Sequence, residues 1–185
     1  MKARRIELSL PIEAATLPDP EAVVPVFHAF IRDDALGEVL VDVARYGHVK
    51  NAPAVVLVGH ASDYVIEVTP EGPRLAAIRK RGAAPDDRRL ADVAGRLLTA
   101  ARLVQAALPQ IRFRTDELRL RVLDRLNAPN SPATYQQLVD EVLAFAGGWL
   151  GEVALEHGPD AAGPLEIRIR RDQSDPLETL WARLP

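Results

Sequence analysis

The chain has 185 residues, 48% of them hydrophobic, which is enough for one substantial core and, by length, a single domain. A formal net charge of -3 argues against binding nucleic acid or anionic membrane through bulk charge, and the absence of cysteine excludes disulfides, thiolate metal sites and a thiol nucleophile. Glu7, Pro11 and Glu13 interrupt the basic opening before a signal-peptide run forms, and no apolar run approaches the ~20 residues that span a bilayer, so a soluble, cytoplasmic protein is expected.

In IELSL, Ile6, Leu8 and Leu10 alternate with Glu7 and Ser9, the period-2 pattern of a half-buried first strand. A short helix is expected over VPVFHAFIRDD, with Pro25 in its first turn and Val23, Phe27, Phe30 and Ile31 at helical spacing. After Gly37, EVLVDVARY is apolar on both faces and reads as a central strand, and PAVVLVG reads the same way. An antiparallel hairpin around GHVKNA places residue 46 near 54 and residue 60 near 40. YVIEV and RLAAIRKR are two further strands joined by the turn TPEGP.

DDRRLADVAGRLLTAARLVQAAL predicts a long helix. Leu90, Val93, Ala94, Leu97, Leu98, Ala101, Val104 and Leu108 share one stripe, Asp86 and Asp87 favour the N-terminus, and Pro109 stops it. IRFRTDELRLRV predicts a hairpin turning at Asp116 and Glu117, which would pair Arg114 with Arg119 and Arg112 with Arg121. A second long helix is expected after Ser131 as N-cap and Pro132 at the first helical position. Its stripe is Tyr135, Leu138, Val142, Phe145 and Trp149, and it weakens or ends at Gly147 and Gly148. EVALEH and PLEIRIRR are the last strands, and the tail SDPLETLWARLP adds a short helix docking Trp181. The order does not alternate strictly, so the expected class is α+β: a mainly antiparallel sheet of about seven to nine strands with three helices, the two long ones packed on one face.

His28, His48 and His60 fall within one third of the chain, with Asp42 and Asp63 among them. Their spacing matches no short metal motif. In the expected hairpin His48 and His60 lie at opposite ends, about 20 Å apart at ~3.3 Å per residue, and cannot share an ion. His28, Asp42 and His60 are the candidate set for a divalent metal or acid/base site, provided that the helix carrying His28 lies on the sheet face of Asp42. The ordinary reading is hydrogen-bonded histidines at element ends. Ser62, His60 and Asp63 contain triad residue types, but residues this close on one turn rarely face one another, and turn chemistry explains them.

VPVFHAFI, LVDVARYGHV, AVVLVGHASDY followed by RLAAIRKR, and LNAPNSPATYQQL together resemble a family of uncharacterised bacterial proteins of similar length. That resemblance implies a bacterial, cytoplasmic domain and carries no activity, cofactor or site residue.

Twenty arginines stand against three lysines, a ratio that coding bias explains. The predicted hairpin still puts Arg112, Arg114, Arg119 and Arg121 on one face, with Arg168 and Arg170 beside them. Such a face is either a lattice of ion pairs, with Glu152, Glu156 and Glu166 as partners, or a docking site for an anionic partner. Nine aromatic residues in all, most at core positions, leave no stacking platform for nucleic acid. The function expected is a non-enzymatic protein-interaction or assembly module, presenting the arginine face or a sheet edge to a protein partner or a second copy. A metal-dependent enzyme or metal sensor using His28, Asp42 and His60 is the alternative, and a binder of a small anionic ligand is the second alternative.

Overall fold

In the computed structural model, which describes residues 3–17, 19–49, 54–83, 88–159 and 162–185, the alternating segment Ile6–Pro11 forms β1. There follow α1 (Pro20–Arg32), β2 (Leu40–Arg45), β3 (Ala54–Gly59), β4 (Ser62–Thr69), β5 (Gly72–Arg79) and α2 (Arg89–Ala107). The second half holds β6 (Glu117–Val122), α3 (Pro132–Leu150), β7 (Ala154–His157), β8 (Leu165–Arg170) and α4 (Leu177–Arg183). The strands make one antiparallel sheet in the order β2-β3-β4-β5-β1-β6-β8-β7. The class is therefore α+β, with one helix more among the described residues than the three expected.

Register assigns each side chain to a face, because residues directly opposite one another project the same way. One row, Val43, Leu57, Tyr64, Ala77, Leu8, Leu120 and Ile167, runs from β2 to β8 and is apolar throughout. These residues belong to the main core, together with Val23, Phe27 and Phe30 of α1, the α2 stripe, Leu138, Val142 and Trp149 of α3, and Leu177 and Leu180 of α4. The adjacent row on the other face reads Ala44, Val56, Val65, Ala76, Ser9, Arg119, Arg168 and Glu156. Its apolar members form a separate small cluster of Ala54, Val65 and Ala76 with Val56 and Ile78, which contains no helix residue.

Several boundaries depart from expectation for identifiable reasons. Helix α1 begins at Pro20 rather than near Val24, since the Asp19 carboxylate accepts the Glu21 N–H at 2.9 Å and Pro20 fits the first turn. Pro25 therefore lies inside the helix, where it forfeits one backbone hydrogen bond. EVLVDVARY is not central: β2 is an edge strand with a bulge between Leu40 and Asp42. From Asp42 onward the β2–β3 register is the expected one, with the Tyr46 N–H donating to the Ala54 carbonyl at 2.8 Å, but the bulge shifts it by one residue at the other end, where Leu40 faces Gly59 rather than His60. Asp86 and Asp87 lie outside the described residues.

The hairpin expected over 111–122 does not form. Both halves instead run along the first segment of the chain: Phe113 bridges Ile12, the Arg114 N–H donates to the Pro11 carbonyl, and Arg119 and Arg121 oppose Ser9 and Glu7. A non-local partner has displaced the local turn. Helix α3 is capped as expected, the Ser131 hydroxyl accepting the Thr134 N–H, but it continues through Gly147 and Gly148 to stop at Gly151, whose φ of 83° suits glycine. Trp181 of α4 is not docked; it is half-exposed and lies against the Arg102 guanidinium, 4.5 Å from the ring centroid. Leu177 and Leu180 anchor α4 instead.

Candidate functional site

The arginines proposed to meet a partner are divided by the missing hairpin. Arg119 and Arg121 project from β6 on the face opposite the main core, whereas Arg112 and Arg114 precede the strand. Arg114 is held by Asp116 at 2.9 Å, which keeps that carboxyl below its usual range, and Arg112 donates to the Pro109 and Ile111 carbonyls. On the sheet itself the guanidiniums are paired with carboxylates. Arg119 bonds Glu117 and Glu71; Arg168 bonds Glu166 and Glu71; Arg170 bonds Glu117 and Glu156. Arg121 and Arg74 both reach Glu7, and Arg74 also holds Glu67. Burial opposes ionisation of Glu117, but the hydrogen bonds and charge of Arg119 and Arg170 outweigh it and lower its pKa. The charges of this half-face are thus compensated internally. Glu156 and Glu166 serve as the sequence suggests; Glu7, Glu71 and Glu117 were not legible as partners because their register was not known.

Among the described residues no group of three or more His, Asp or Glu side chains could hold a metal ion. His28 is exposed on α1, whose buried side chains pack with the apolar face. Asp42 projects from the opposite face, beside Val58, and its carboxylate accepts the Val43 N–H at 2.8 Å. His60 is exposed in the turn between β3 and β4, so the structure does not bring His28, Asp42 and His60 together. His48 lies at the other end of the β2–β3 hairpin from His60. Ser62 and Asp63, adjacent on β4, point to opposite faces, which removes the triad. The fourth histidine, His157, is hydrogen-bonded to the Asn130 side-chain carbonyl at 2.8 Å and stacked on Tyr135.

A buried polar cluster absent from the sequence reading centres on Glu38. Its carboxylate accepts the Ala61 and Ser62 N–H groups, the Tyr64 hydroxyl at 2.6 Å and an Arg96 N–H at 2.6 Å. Arg96 continues to Asp92, which also holds the fully buried Arg79. Burial and the neighbouring Glu38 push the Tyr64 hydroxyl well above its ordinary pKa. Glu38 therefore fastens the β3–β4 turn to helix α2, a positioning role with every lone pair engaged. Nothing in the local spacing of Glu38 announces it, because its partners arrive from β4 and α2.

The remaining distinctive surface is the β2 edge. Val39, Val41, Tyr46 and Val49 are 69, 63, 45 and 38% exposed, four of the seven large hydrophobics exposed among the described residues. The bulge leaves Val41 as the extra residue opposite β3, outside the pairing that seats Val43 and Leu40 against the core. No described helix is long and apolar enough to cross a membrane. Neither a scan against protein-family models nor a search of curated proteins returns a match to the chain.

Proposed function

We propose that this chain is a non-enzymatic assembly module that associates with a second copy of itself through β2 and its flanks. The observation that carries the reading is the concentration of exposed apolar side chains at Val39, Val41, Tyr46 and Val49, since hydrophobics scattered singly over a surface need no explanation but four gathered on one edge strand and its flanks do. Balanced charge supports a second copy over an acidic or basic partner. Asp42 and the Arg45–Glu21 pair place both signs on the same edge, so two copies meet without a net like-charge penalty. The mode is side-chain packing about a two-fold axis rather than addition of a strand, because the bulge bends the edge and Asp42 already occupies the Val43 N–H. In this reading the two long helices cover the apolar sheet face, and the opposite face, closed by its own ion pairs, takes no part.

Sedimentation of the parent and of a Val41→Asp, Tyr46→Ser double variant, from low micromolar to submillimolar concentration, tests the proposal. Both sites are exposed, so the variant should keep the parent far-UV circular dichroism while losing a reversible dimer that the parent forms. Because apolar contact drives it, the dimer should persist in 0.5 M salt, where the Debye length is well under ~8 Å. A parent that stays monomeric throughout, or a dimer that survives both substitutions, would refute the edge as a self-association surface.

A further inference from the structure

The two exposed histidines of the β2–β3 hairpin stand at its opposite ends. The His60 N–H donates to the Val39 carbonyl at 2.8 Å, which sets His60 level with one end of the exposed apolar edge. His48 lies in the turn at the other end, between Tyr46 and Val49, its ring tilted against the Tyr46 ring with centroids 6.3 Å apart. Both residues are exposed, and neither imidazole makes a hydrogen bond or ion pair among the described residues. The nearby cations are already neutralised: Arg45, whose side chain packs beside Gly47, is paired with Glu21, and Lys80, which donates to the Gly59 carbonyl, is paired with Asp63. Two unpartnered imidazoles are free to ligate, but within one copy the length of the hairpin keeps them apart.

A two-fold axis changes that. This step rests on the self-association proposed above, in which each copy presents the same edge to the other. Val39 and Val49 lie at comparable separations on either side of Ala44, as do Val41 and Tyr46, so the apolar patch maps onto itself when the two edges run antiparallel about that residue. A parallel approach would set Asp42 against Asp42 and Arg45 against Arg45, a like-charge arrangement that the antiparallel one avoids. The antiparallel approach brings the His48 end of one copy to the His60 end of the other, twice over by symmetry. We infer that each end of this interface is a site for a divalent transition-metal ion of zinc type, held by His48 of one copy and His60 of the partner subunit. Imidazole suits zinc, copper and nickel, whereas magnesium and calcium take oxygen ligands, so the site selects by ligand chemistry. An ion bound only by the assembled pair tightens the dimer by mass action.

The experiment is sedimentation of the full chain in EDTA, in zinc chloride and in magnesium chloride, the EDTA arm reporting on the self-association by itself. Zinc should lower the dimer dissociation constant at least tenfold, and magnesium should leave it unchanged. His48→Gln and His60→Gln, both at exposed positions, should each keep the parent far-UV circular dichroism and the EDTA dimer but lose the zinc response, because every site needs one histidine of each kind. An equimolar mixture of the two variants should recover part of that response, since a mixed pair keeps one site whole, His60 of the His48→Gln chain facing His48 of the His60→Gln chain. A parent that dimerises in EDTA but is indifferent to zinc, a response to magnesium equal to that to zinc, a zinc response retained by either variant alone, or a mixture no more responsive than its components would overturn the site and leave the self-association standing. A parent that stays monomeric in EDTA and in zinc would remove the edge itself, and the site with it.

Discussion

Leu97→Ala reports on the central packing of the molecule. Leu97 is fully buried in α2, among Val93, Ala94, Leu98, Ala100, Ala101 and Val104, which are also fully buried. Helix α2 is therefore not a surface helix with one buried stripe: Ala100 falls outside the expected stripe and is inaccessible too, and a Cβ on Gly95 would come within 3.3 Å of Leu184, beyond α4. Removing three carbons forfeits about 2.4 kcal/mol of transfer free energy at ~0.8 per methylene. A cavity term adds to this, bringing large-to-small changes of this kind to about 3–5 kcal/mol where neighbours cannot collapse inward. Sheet on one side and α4 on the other leave little scope for collapse. In a chain of this size each kcal/mol lowers Tm by ~2–4 °C, so a fall of roughly 6–20 °C is expected. Urea unfolding should show it as a lower midpoint at unchanged slope. Leu126→Ala is the matched control, the same chemical change at a residue that is 91% exposed, and should lie within about 0.5 kcal/mol of the parent. Equal losses in the two variants would mean that α2 is not held between two layers.

Glu38→Ala strands four donors at once and should cost about 3–5 kcal/mol in urea unfolding, and Arg96→Ala should also be costly, although Arg96 lies outside the apolar stripe of α2. The Asn127 amide, with the Arg4 N–H and Arg81 behind it, holds the Asp124 carboxyl below its ordinary pKa against the opposing effect of burial. A depressed folded-state pKa gives stability that is present above the unfolded value and lost as pH falls through the folded one, so the parent should lose stability below about pH 4, and Asp124→Asn should flatten part of that slope in unfolding measured at successive pH values. Asp42→Ala frees the Val43 N–H on the sheet edge and should raise the rate of thioflavin-positive aggregation; a rate no faster than the parent's would show that the carboxylate does not guard the edge.

Local patterns in the sequence carried the elements whose partners are neighbours. The β2–β3 register follows from two apolar runs around one loop, and the α3 cap from Ser131 and Pro132. Three features were hidden for one reason, that their partners are distant in sequence. Arg112, Arg114, Arg119 and Arg121 repeat about Asp116 as a hairpin would, but β1 competes for both halves and prevails. Val39 and Val41 gave β2 the composition of a central strand, although a bulge turns Val41 out of the pairing and neither residue reaches the core. The Glu38 cluster gathers groups from the β3–β4 turn, β4 and α2, and no short window of sequence contains them.

The place of β1 has a consequence for how the chain matures. The strand of this sheet that comes earliest in sequence is a central one, hydrogen-bonded to β5 on one side and β6 on the other. Strands β2 to β5 form a meander with short connections and can associate as they emerge, but Leu10, Leu8 and Ile6 gain their β5 neighbours only as Leu75, Ala77 and Arg79 are made, a delay of roughly 3–15 s at ~5–20 residues per second. Their second neighbour comes later still, with Val122. Until both partners have been made, Ile6, Leu8 and Leu10 lack the strands that flank them in the folded sheet.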